Sequence, residues 1–89
     1  MALSSIERKE LIVAFGHDLS PIADGLYEAT TEDLPKTQEN AAISAGQRKL
    51  REYEDLVGKL QGAHRAEVEK DYGPTVEEIR GFLKTLKER

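Results

Sequence analysis

The chain has 89 residues, 13 basic and 17 acidic, giving a formal charge of −4 and a pI near 5.2. That size suits one domain over 1–89. The absence of cysteine excludes disulfides, thiolate catalysis and Cys-based zinc sites. No apolar run approaches the ~18 residues of a membrane span, and the acidic balance argues against a dedicated nucleic-acid binder.

Helical punctuation begins at once. Ser4-Ser5-Ile6-Glu7 reads as a capping box, in which the Ser4 hydroxyl accepts from an orphan N–H and Glu7 reaches back. It predicts a first helix over about 5–19. Ile6, Leu11, Ile12, Val13, Phe15 and Leu19 spread around more than one narrow stripe, so heavy burial is expected for it. Ser20-Pro21 then offers an N-cap and a proline at the first helical position, predicting a second helix over about 21–33; a kink in one continuous helix is the alternative. Leu34-Pro35 closes this segment, because the residue before proline is pushed out of the α region.

Residues 36–72 read as one long helix of about 55 Å. Ile43, Leu50 and Val57 recur every seven residues, with Tyr53 and Leu60 at the intermediate positions of the repeat, which is coiled-coil spacing. His64 continues the stripe. Gly46 lies on it, where a missing side chain allows close backbone approach, and Gly62 is the place where such a helix breaks if it breaks at all. Gly73-Pro74 predicts a stop. Thr75-Val76-Glu77-Glu78 reads as a second capping box, opening a final helix over about 76–88. Alternating β patterns are absent. The expected fold is therefore all-α: a small antiparallel helical bundle built on the long 36–72 helix, with two shorter N-terminal helices and a C-terminal one.

Charge is uneven along the chain. Residues 1–34 hold two bases against seven acids, a balance of −5, and residues 35–89 hold eleven against ten. Arg48, Lys49 and Arg51 are the dense basic cluster, expected to pair with Glu52, Glu54 and Asp55. No phosphate loop or metal-binding His-Glu spacing is present, so no cofactor and no metal are expected.

His17-Asp18-Leu19-Ser20-Pro21 resembles the phospho-acceptor box of sensor histidine kinases and related phosphotransferases, over five residues and with the proline one position early. The resemblance implies a catalytic His17, as nucleophile, oriented or deprotonated by Asp18. The residues otherwise point to a non-enzymatic protein–protein interaction module: an adaptor, regulator, inhibitor or assembly component. The expected interface is Ile43, Leu50, Tyr53, Val57, Leu60 and His64, a stripe longer than either short helix covers. The expected partners are another protein and further copies of the chain, not nucleic acid or membrane. Met1-Ala2-Leu3-Ser4 lacks the basic start of a signal peptide, so the expected location is cytoplasmic.

Overall fold

The computed structural model describes residues 3–88. Among them are four helices and no strand: α1 (Ser5–Gly16), α2 (Leu19–Thr31), α3 (Lys36–Lys59) and α4 (Gly62–Lys87). The all-α bundle is as the sequence implies.

Side-chain contacts fix the directions. Leu11 shares a groove with Leu56, and the Phe15 ring lies 5.8 Å from that of Tyr53, so α1 runs antiparallel to α3. Phe15 packs edge-on to Tyr72 at 5.4 Å, and Tyr27 meets Phe82 at 6.0 Å, so α1 and α2 run parallel to α4. The result is three columns, the first broken between α1 and α2, in a body of 44 × 17 × 17 Å.

The capping box forms as the sequence implies. The Glu7 amide donates to Ser4 Oγ at 3.1 Å, and the Ser4 amide donates to Glu7 Oε1 at 3.4 Å. The heavy burial expected of the first helix does not follow. Phe15 is the buried residue α1 contributes, while Ile6 and Val13 stand 71% and 60% exposed. The remaining core comes from Leu19, Ala23, Leu26 and Ala29 of α2, Leu56 of α3, Leu60, and Val68, Val76, Ile79 and Leu86 of α4. Apolar residues on several faces of α1 marked its composition, not its depth.

α2 starts two residues earlier than Ser20-Pro21 suggested. Asp18 is its N-cap, and the Ile22 amide donates to the Asp18 carbonyl at 3.1 Å. Pro21 falls inside the first turn, where its missing N–H has no intrahelical duty.

The single helix over 36–72 is corrected. The chain leaves α3 at Lys59, passes through extended Leu60 and Gln61, and enters α4 at Gly62 with φ +59°. That left-handed turn is open to glycine without strain. The stop at Gly73-Pro74, the capping box at 75–78 and the separate helix over 76–88 are corrected with it, because α4 runs straight through Pro74. Proline inside a helix costs ~3 kcal/mol. Beyond it, however, Val76, Ile79 and Leu86 are buried, at about 1.5–3 kcal/mol each. Gly73 also removes the Cβ that would crowd the proline ring.

The columns approach closely at Gly46. A Cβ there would fall 2.7 Å from Leu26 Cδ1 and 3.3 Å from Leu83 Cδ2, so α2 and α4 both press against the bare backbone of α3. The close approach expected at this position is present.

Candidate functional site

Two features of the first column stand out, a buried charge at its corner and an apolar face on its outside.

The corner joins α1 to α2 through His17 and Asp18. Lys49 of α3 reaches it from below and is only 2% exposed. A buried ammonium is costly unless its three N–H groups find acceptors. Here Nζ donates to the Phe15 carbonyl at 2.9 Å, pairs with Asp18 Oδ1, and pairs with Glu52 Oε2 at 2.7 Å. It also stands 5.0 Å from the centre of the Phe15 ring. The Phe15 carbonyl lies in the last turn of α1, so the cation also complements the negative end of that helix. Arg48 completes the cluster with a 2.9 Å contact to Asp18 Oδ2 and a longer one to Glu52. The Lys49 hydrogen bond, aided by the positive charges of Lys49 and Arg48, holds the Asp18 carboxyl below its ordinary range.

The basic cluster thus pairs with Glu52, as its spacing suggests, and with Asp18, thirty residues away, which spacing could not reveal. Glu54 is met instead by Arg80 of α4, at 3.8 Å. His17 is exposed on this corner, and the Asp18 carboxylate beside it is committed to the two cations of α3.

The stripe residues are distributed differently. Leu60 is buried, and Ile43, Leu50, Tyr53 and Val57 are half-buried against the chain's own core. The line of deepest burial on α3 runs beside them, through Gly46, Lys49 and Leu56. Burial, with the charges of Glu69 and Glu77, raises the Tyr53 phenol above its ordinary pKa. His64 does not join the stripe. It is exposed near the start of α4 and lines a groove with Arg8 and Ile12 of α1.

The outer face of α1 carries the exposed apolar surface. Ile6, Lys9, Glu10, Val13 and Ala14 line one shallow, nearly all-apolar depression, and all five are exposed. Grooves flank the helix on both sides. One is shared with Glu52, Asp55, Leu56 and Lys59 of α3, the other with His64, Val68 and Tyr72 of α4. Tyr72 closes the inner end, where a Cβ on Gly16 would sit 2.8 Å from its hydroxyl. The apolar residues on several sides of α1, from which burial was expected, are compatible with this face but do not distinguish it from a buried one.

Among the described residues no His, Asp or Glu side chains group in a way that could hold a metal ion, and no helix is long and apolar enough to cross a membrane. In comparisons with known proteins the chain matches no family model, no curated protein and no solved structure.

Proposed function

We propose that the chain is a non-enzymatic protein–protein interaction module of the cytoplasm, acting as an adaptor, regulator or assembly component through α1. The observation that carries this reading is the exposure of Ile6 and Val13, at 71% and 60%, on a helix that gives the core one buried side chain. Scattered exposed apolar residues are ordinary, but two on one face of a loosely seated helix, rimmed by charge, are the pattern of a docking surface. The test compares the full chain with its Ile6→Asp/Val13→Asp variant as bait in extracts of the native host. Reproducible partners of the parent chain should disappear from the variant while its thermal melting is unchanged. Partners retained in full by the variant would overturn the reading.

A second reading, phosphotransfer through His17, has the exposed imidazole in its favour. Against it, Asp18 serves Lys49 and Arg48, so the imidazole lacks the orienting carboxylate that such chemistry uses. Incubation with a phosphorylated receiver protein should leave the chain unlabelled; an acid-labile label lost in His17→Gln would establish the second reading instead.

A further inference from the structure

We infer that the outer face of α1 pairs with the same face of a second copy, in parallel, about a two-fold axis; this rests on the interaction reading above and names its partner. At ~3.6 residues per turn, Ile6 and Val13 lie on almost one line along the helix, about 10 Å apart. Lys9 falls about 50° to one side of that line and Glu10 about 50° to the other. Phe15, which points into the core, falls nearly opposite. Two bundles can therefore meet through this face without disturbing their own packing.

Charge selects the partner and the orientation. α1 itself is neutral, with Glu7 and Glu10 against Arg8 and Lys9; the acidity of the N-terminal third comes from Asp18 onward. A second copy therefore meets little net repulsion at this helix. In a parallel two-fold pair, Ile6 faces Ile6, Val13 faces Val13, and the Lys9 flank of each copy meets the Glu10 flank of the other, twice. In an antiparallel pair each flank meets its own kind, Lys9 against Lys9 and Glu10 against Glu10, which is repulsive on both sides. The face is thus self-complementary in one direction only. A seam one short helix long is small by the standards of stable interfaces, so the dimer is weak and its population depends on concentration.

Sedimentation equilibrium of the full chain, from micromolar to millimolar, reads the result directly. The mass should rise from 9.9 kDa toward twice that value. Lys9→Glu and Glu10→Lys should each weaken pairing about tenfold, since each turns two attractive contacts repulsive. The double exchange Lys9→Glu/Glu10→Lys should restore it, which no loss of folding can imitate. Because the chain has no cysteine, orientation can be read from single substitutions. Ile6→Cys alone and Val13→Cys alone should each oxidise to a cross-linked dimer. A mass of 9.9 kDa at every concentration overturns the inference, as does a double exchange that fails to restore pairing. Cross-linking that requires a mixture of the two cysteine variants overturns it too. If the chain is a monomer and the α1 variant still loses host partners, the self-pairing falls and the interaction reading stands.

Discussion

The α2–α4 body and α1 are built from similar residues and held by different means. In the body, the backbone of α3 is bare at Gly46, so that Leu26, Ile79 and Leu83 converge on it, and Leu26 and Ile79 are 0% exposed. α1 is no less apolar than the body, yet it buries one side chain fully, Phe15, near the end where Lys49 reaches its last turn, while Leu11 and Ile12 pack half-buried against the core. Apolar composition alone does not measure attachment. What separates the regions is whether neighbouring elements close around the side chains, and among the described residues none closes over the outer side of α1.

The largest expected effect lies in the body. Leu26→Ala should cost about 2–5 kcal/mol, against a total of about 4–13 kcal/mol for a domain of this size. Leu11→Ala, on half-buried α1, should cost about 1 kcal/mol. Equal losses in denaturant melts would erase the distinction between the regions.

Lys49→Met tests the tie between them. It keeps the stem and removes the cation, leaving the end of α1 without its donor and the Asp18 and Glu52 carboxylates with Arg48 alone. A loss of about 1–3 kcal/mol is expected, with faster amide exchange in α1 than in α4. Uniform acceleration would mean that Lys49 supports the whole bundle and not the joint. The same tie gives a pH signature. The Asp18 carboxyl is held below its ordinary value, so its contribution is complete at neutral pH, above the unfolded carboxyl's pKa. It is lost as pH falls below about 4 and through the depressed folded value. Asp18→Asn should be less stable at neutral pH and should lose less on acidification. Parallel pH profiles for the two chains would contradict the role given to Asp18.

Two alanine substitutions within the body have smaller effects than Leu26→Ala. Gly58 is helical with open space around it, so Gly58→Ala should stabilise by up to ~1 kcal/mol. Gly62 also has open space but sits at φ +59°, so Gly62→Ala should destabilise by about 1–2 kcal/mol. Equal signs in thermal melting would show that the α3–α4 turn does not depend on its left-handed residue.

Local chemistry was legible in the sequence. The Ser4–Glu7 box, the all-helical character and the close approach at Gly46 each follow from residues within a turn or two of one another. Boundaries decided by distant packing were not. Gly73-Pro74 carries every local sign of a stop, and the helix continues because Val76 and Ile79 must reach the core. The seven-residue spacing located the right side of α3 but missed its centre, because one of the deepest positions is a lysine. That lysine could not be read as buried without Asp18, thirty-one residues earlier in the chain. The face of α1 was hidden for a related reason: an apolar pattern reports that a surface avoids water, not which chain covers it.

Native-state hydrogen exchange tests the account most directly, because it measures the opening free energy of each helix in the unmodified chain. Amides in the second half of α1 should exchange through local opening, at a free energy lower by about 2 kcal/mol or more than those around Ile79 in α4. They should also respond weakly to denaturant. If α1 and α4 exchange at one common free energy with the denaturant dependence of global unfolding, α1 is an integral part of the core, and a separately held helix presenting its outer face is contradicted.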